Sequence, residues 1–375
     1  MFGTTIGKGV GAHVKQNVVY EKSKPKKTRV PRYHEYIADY GGCGHWRLIW
    51  PQLLLNSTQR IVGSNSSSMI IGDSYYRDID SVRVQRQVTP VQLKFVKHLK
   101  DMSSKYKFKL IYDVDDIFVL EDIPMYNSYR SAYENKELQE SGKTILGMVD
   151  KVTVPCEQMK QYYSKYNKNV QVIPNYPPKF WLDNLYEPDN INNVYNDKKI
   201  KPKIMYAGSS AHFDIKNRNK GVDDLSHVID MIKKTVDEYE WIFMGAIPPG
   251  LVDEVRQKKI TIYQWQNIYD LPRFVKNLNI SVFVAPLNDN TFNRCKSDIK
   301  IIEAGALGIP CVCQDLPTYE KSPLRFETGP ELHDIIKELL TDEDYYMQMS
   351  KKYNDIVQSR WLDDNLDVYI KLFSK

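Results

Sequence analysis

Cysteine is scarce: the chain has 5 in 375 residues, an odd number without disulfide-like spacing. That excludes a disulfide framework and points to a reducing compartment. No second Cys/His pair stands at ligand spacing, which argues against a structural zinc site. Long apolar runs are missing too. The longest patches, such as Ile280 to Leu287, are strand-sized, whereas a bilayer span needs roughly 20 residues. The opening MFGTTIGKGVGAHVKQ lacks the apolar stretch of a secretory signal. A cytoplasmic location without a membrane span is therefore expected. There is no Walker loop, no dinucleotide pattern of three spaced glycines, and no Ser-His-Asp order. Charge of either sign is not in large excess: 52 Lys+Arg against 47 Asp+Glu leave a net +5. That permits a polyanionic partner without requiring one.

What is present is an alternation of strands and helices in two series. Residues 1–32 read as an arm, with a basic run KSKPKKTRVPR from Lys22 to Arg32. Lys26, Lys27 and Arg29 in that run are candidates for contact with DNA phosphates, or else belong to a solvated arm. Residues 33–175 alternate β and α: strands are expected at Glu35 to Tyr40, Ser68 to Ile71, Ser81 to Gln85, Lys109 to Tyr112, Lys151 to Val154 and Val170 to Ile173. Residues 176–202, rich in Pro and Asn, read as a linker. A second series covers 203–358, with helices expected at Gly221 to Asp237 and Lys296 to Leu307. A last helix in 359–375 is expected to return to the first series. Two such series predict an α/β protein of two doubly wound, parallel-sheet domains facing a cleft.

The densest chemistry lies in FNRCKSDIKIIEAGALGIPCVCQDLPTY, residues 292–319. Arg294, Lys296 and Lys300 supply three cations, and Ser297 can cap a helix start. A helix N-terminus with lysines beside it suits a phosphate. Glu303 is the lone acid in the apolar helix that follows. The plain alternative is an ordinary helix-to-strand unit with one exposed Glu.

The string EAGALGIPCV, Glu303 to Val312, resembles the donor-site signature of retaining GT-B glycosyltransferases of the family-four class. The resemblance extends more weakly from residue 33 onward. It implies a GT-B fold and transfer of a sugar from a nucleotide sugar, a UDP-sugar, to an acceptor hydroxyl with retention. Glu303 would hold the ribose, and no cofactor is required. The family carries another Glu eight residues earlier, near the sugar; here that position is Cys295. The resemblance also puts the Gly208-Ser209 loop beside the diphosphate, with Lys220 of the Lys220-Gly221 pair as a phosphate contact and Lys216 and Arg218 nearby.

Other strand-end loops offer polar groups. In GGCGHWR, Gly42 and Gly44 fit a turn that lets phosphate or sugar approach, or a plain tight turn, and Arg47 can reach the cleft. Asp113, Asp115 and Asp116 in DVDD crowd three carboxylates at a strand end. They read as acceptor recognition, as a divalent-metal site, or as capping acids. Asn288, Asp289 and Asn293 can meet sugar hydroxyls. Trp265 packs near a nucleotide base or simply in a core. Asp113, Asp115, Asp116, Lys296 and Glu303 are the expected catalytic set. For the acceptor, 5-hydroxymethylcytosine in duplex DNA, as in phage DNA-modifying sugar transferases, is preferred by a small margin to surface polysaccharide or a lipid-linked sugar. A third reading is a non-catalytic sugar- or DNA-binding relative, motivated by Cys295.

Overall fold

The computed structural model describes residues 29–182 and 201–374. Lys26 and Lys27 lie outside those residues.

Six strands form the first sheet: β1 (Arg32–Tyr36), β2 (Val62–Ser66), β3 (Ser81–Gln85), β4 (Lys109–Asp113), β5 (Lys151–Val154) and β6 (Val170–Val172). Their order is β2-β1-β3-β4-β5-β6, all parallel. The second sheet holds β7 (Lys203–Gly208), β8 (Glu240–Gly245), β9 (Ile260–Tyr263), β10 (Val282–Ala285), β11 (Cys311–Gln314) and β12 (Arg325–Phe326). Its order is β12-β11-β10-β7-β8-β9, again parallel. Buried runs such as the VFVA of β10 and the CVCQ of β11 suit strands covered by helices on both faces. Both sheets are therefore doubly wound, as the alternation predicts. Strand order reverses between β1 and β3 and between β7 and β10. Ligands of such sheets bind at these reversals, beyond the carboxyl ends of the strands.

Several local expectations shift. The strand expected at Ser68 to Ile71 is instead β2, because Val62–Ser66 can pair along β1. Residues 221–228 are turns rather than helix, and the helix is Ile229–Thr235. Asp223 explains this: its side chain takes the Leu225 N–H at 3.0 Å and the Asp214 N–H at 3.0 Å, competing with helical hydrogen bonds. Of the expected linker, residues 176–182 are packed chain. Trp181 is buried with Trp46 and Trp50, and its indole donates to the Ile268 carbonyl at 2.7 Å.

One buried cluster fills each sheet's layers, and a third joins them. The third unites Trp46 and Trp50 with Ile302 and Ala306 and with the C-terminal helix Leu366–Phe373. Phe373 stacks on Tyr33 of β1, with ring centroids 3.9 Å apart, and its carbonyl accepts from Ser81 Oγ at 2.8 Å. The chain thus ends against the first sheet. No helix among the described residues is long and apolar enough to cross a membrane.

Candidate active site between the two sheets

The carboxyl end of β4 carries the aspartate string, and burial divides it. Asp113 is fully buried and bound by Arg47, with Nε to Oδ2 at 3.1 Å and Nη2 to Oδ1 at 2.9 Å. Thr153 Oγ1 donates to Asp113 at 2.6 Å, and Arg83 stands 3.7 Å away. Burial pushes the Asp113 carboxyl up, but Arg47 and Arg83 together hold it below the usual carboxylate range. Asp113 is therefore scaffold rather than a group open to substrate. The same correction applies to Arg47, which is 1% exposed and also donates to the Ile173 carbonyl and Asn175 Oδ1. Gly42–Gly44 do not form a free loop: they start a helical segment that passes through a π turn, His45–Ile49, into Trp50–Ser57. Gly44 is needed because a Cβ there would lie 1.9 Å from the Asp39 carbonyl.

Asp115 and Asp116 remain partly open. Asp115 faces Arg86 Nε at 3.4 Å, at the β1/β3 reversal, and Arg86 also pairs with Asp39. Burial raises the Asp116 carboxyl; Lys296, from the second sheet's side, opposes that, and Asp115 adds to it. The charge of Lys296 is thus felt at Asp116 across the cleft. No group of three or more His, Cys, Asp or Glu among the described residues could hold a metal ion.

The second sheet contributes its own reversal. Gly208 ends β7, buried, where a Cβ would lie 2.2 Å from Tyr206 Oη. Ser209 opens a tight turn to His212, its hydroxyl accepting from the Ala211 N–H at 3.3 Å. Lys220 is exposed on a loop that Asp214 clasps through the N–H groups of Arg218, Asn219 and Gly221 at 2.7, 2.9 and 2.9 Å. Lys220 (φ +54°) and Gly221 (φ +77°) both take left-handed backbone, so the turn is built by that clasp.

Beyond β10, Asn293 is fully buried. Its Nδ2 is shared among Asp224 Oδ1 (2.6 Å), Tyr126 Oη (3.0 Å) and the Asn288 carbonyl (2.8 Å). Its expected contact with donor is thus replaced by an organising role. Asp289 pairs with Arg294 at the surface. The helix expected from Lys296 begins at Ile299, with Asp298 at its N-cap. Ser297 does not cap it; the hydroxyl instead accepts from Asn175 Nδ2 at 3.1 Å. Asp298 is held by Arg360 at 3.0 and 3.2 Å. Lys296 lies between the short helix Thr291–Arg294 and the helix Ile299–Ala306, with its ammonium 4.8 Å from the Phe292 ring centroid. Glu303 is 18% exposed and meets Lys300 at 3.3 Å, so it is not turned into the core.

Cys295 explains the broken pattern eight residues before Glu303. It is buried with Phe292 in the first domain's core cluster, and its carbonyl faces Cys156 Sγ at 3.5 Å. A carboxylate there would sit among apolar groups. Arg29 pairs with Asp80 at 2.9 and 3.0 Å, next to the starts of β1 and β3, the ends of the strands opposite the cleft. That is not a cleft-side phosphate contact.

Sequence reasoning missed Tyr126. It belongs to the loop after β4, yet its hydroxyl donates to Asp224 at 2.6 Å and accepts from Asn290 and Asn293, both at 3.0 Å. Nearby, Ser128 Oγ meets Ser210 Oγ at 3.2 Å. The two domains are thus stitched beside the β7/β10 reversal. A lone tyrosine in a long loop carries no sequence signal for such a role. Replacing Tyr126 by phenylalanine removes three hydrogen bonds, and about 1–2 kcal/mol of stability loss is expected in urea unfolding. An unchanged midpoint would mean the stitch holds nothing.

Trp265 is half-exposed and lies over Gly245 at the end of β8. A Cβ on Gly245 (φ +99°) would lie 2.6 Å from Trp265 Cε2 and 2.7 Å from the Gly208 carbonyl. The indole therefore seats directly against backbone beside the β7 end.

Solved structures decide which two-domain architecture this is. A sucrose-phosphate synthase from Thermosynechococcus elongatus superimposes with TM-score 0.62 at 14% identity, covering 92% of this chain and 99% of that one. A glycosyltransferase from Rickettsia africae gives 0.58 at 12% identity over 92% and 98%. HepE from Anabaena, solved in complex with UDP and glucose, gives 0.58 at 12% identity over 90% and 98%. The fold is GT-B. No family model matches the chain, and no curated protein does. Within this GT-B frame, Tyr126 of the first domain reaches Asp224, Asn290 and Asn293 beside the β7/β10 reversal.

Proposed function

We propose that this protein is a glycosyltransferase that takes a UDP-sugar and transfers the sugar to an acceptor hydroxyl with retention. The observation that carries the reading is the convergence at the β7/β10 reversal. The charges of Lys296 and Lys300 act on the Gly208–His212 turn at His212, Glu303 pairs with Lys300 at 3.3 Å, and Lys296 also acts on Asp116, one of two partly open aspartates of the other domain. Gly208 makes room for the Tyr206 ring, the Ser209 turn that follows presents backbone to a diphosphate, and Lys296 supplies charge where the leaving phosphate develops it. Lys220 stands on the neighbouring clasped loop. Glu303 accepts from the ribose hydroxyls, and the open face of Trp265 offers the base a platform. HepE, of the same fold, was solved with UDP and glucose. No metal is assigned, and the leaving phosphate takes the acceptor's proton on the face of attack.

The acceptor side favours one class. The loops after β1, β3 and β4 carry Asp39, Asp115, Asp116, Glu121, Asp122 and Glu134. Arg86 pairs with Asp39 and Asp115, Glu134 faces Arg218 at 3.9 Å, and Arg130 is spent on the carbonyls of Leu120 and Ile123, which leaves Asp116, Glu121 and Asp122 without an ion pair among the described residues. Carboxylates bind hydroxyls well and repel phosphates. A hydroxyl-rich saccharide therefore fits this rim better than the hydroxymethylated duplex DNA that the basic arm suggested.

The test is a panel of UDP-sugars with saccharide acceptors and with 5-hydroxymethylcytosine DNA, products weighed by mass spectrometry. Sugar transfer to a saccharide is expected; transfer to the DNA alone would reverse the acceptor assignment. Glu303→Ala should weaken UDP binding about 10–100-fold, the range of hydrogen bonds to a charged group. Equal affinity in calorimetry would remove Glu303 from the site.

A further inference from the structure

Asp224 is 1% exposed and saturated with donors. It accepts from His212 Nδ1 at 2.6 Å, Tyr126 Oη at 2.6 Å, Asn293 Nδ2 at 2.6 Å and the Asn288 N–H at 2.9 Å. A carboxylate so placed only accepts, so the proton of neutral His212 is assigned to Nδ1. The other nitrogen, Nε2, has no hydrogen-bond partner among the described residues and is not sealed from solvent. His212 sits on the turn directly after β7, where the donor reading places the diphosphate. The groups around it are Asp224, the Tyr206 ring edge-on at 6.5 Å, and the charges of Lys296 and Lys300. An imidazole fixed at one nitrogen, open at the other and acted on by the charges of two lysines is arranged for an anion.

We propose that His212 is a third phosphate-binding group of the donor site, taking up one proton as the diphosphate binds and hydrogen-bonding the leaving phosphate through Nε2. Asp224 is its positioning residue, and Tyr126 completes that carboxylate only when the two domains are together. This inference rests on the donor reading above. In the empty site, burial and then Lys296 push the imidazole below its ordinary pKa, against the pull of Asp224, so it is neutral near pH 7. A diphosphate brings two negative charges beside it and reverses that balance. The imidazolium donates a hydrogen bond and keeps its proton. The bond from the sugar's anomeric carbon to the phosphate oxygen breaks, that oxygen keeps the electron pair, and the acceptor oxygen forms the new bond.

The test is calorimetry on the full chain at pH 8 with UDP-glucose and with UDP, in two buffers of unlike ionisation enthalpy. At pH 8 the ligand phosphates are ionised and hold no titrating proton. Uptake approaching one proton is expected for the wild type and none for His212→Gln, whose amide can still donate. Wild-type affinity should fall by up to about tenfold per pH unit as pH rises through the window between the empty-site and bound-site pKa, and stay flat in the variant. His212→Ala should bind about 10–100-fold more weakly. Binding by the wild type with no proton uptake would overturn the role of His212 and leave the donor site standing. Failure of the wild type to bind either nucleotide would overturn the donor reading itself.

Discussion

Asp113→Ala should cost about 3–5 kcal/mol of stability, the range for breaking a buried ion pair by removing one partner. The carboxylate lies between Arg47 and Arg83, which are 1% and 0% exposed. Without it two guanidinium groups keep their charge in the interior. Arg83 would retain Glu35 and the ring faces of Tyr369 and Phe373, and Arg47 the Ile173 carbonyl. These do not neutralise both cations. The pH dependence has a defined sign. The carboxyl is held below its ordinary pKa in the fold, so its contribution is complete above the unfolded pKa and fades as pH falls through the folded one. Urea unfolding of Asp113→Asn against wild type should converge at the acid end and diverge toward neutrality. A cost under about 1 kcal/mol at pH 7 would show that the pair does not hold the β4 end, and Asp113 would return as a site residue.

Lys296→Ala should lower kcat/KM for sugar transfer by about 10²–10³, the scale of removing one group aimed at developing charge. The charge of Lys296 is felt on both sides of the cleft, at Asp116 and at His212. Its removal should act mainly on kcat, because charge on the phosphate grows as the sugar departs. Lys296→Arg should recover part of the rate. A change confined to KM would make Lys296 a ground-state anchor; no change in either would detach it from the chemistry. Stability should move little, since the side chain is only partly buried and makes no hydrogen bond among the described residues.

Much of this was legible from residue order. Alternating apolar β and amphipathic α segments defined two parallel sheets because a strand covered on both faces must be apolar throughout. The EAGALGIPCV string located the helix Ile299–Ala306 and the strand β11 because Gly and Pro punctuate the chain there. What misled was residue type without burial. Asp113 and Arg47 look like site groups in sequence, and only their shared position between β4 and the π turn commits them to each other. Ser297 looks like a cap, but Asn175, 122 positions away, reaches its hydroxyl.

The two layered halves, the strand ends that could carry chemistry, and the region around Lys296 and Glu303 can be read from residue order, since periodicity and turn chemistry are local properties. Which charged groups are interior struts and which remain open is set by the packing of distant segments. That packing also brought Tyr126, His212, Asp224 and Asn293 to one point, from segments up to 167 positions apart. The physical reason is that burial and hydrogen-bond pairing depend on long-range neighbours, and a carboxylate's role follows from those neighbours rather than from its place in the chain.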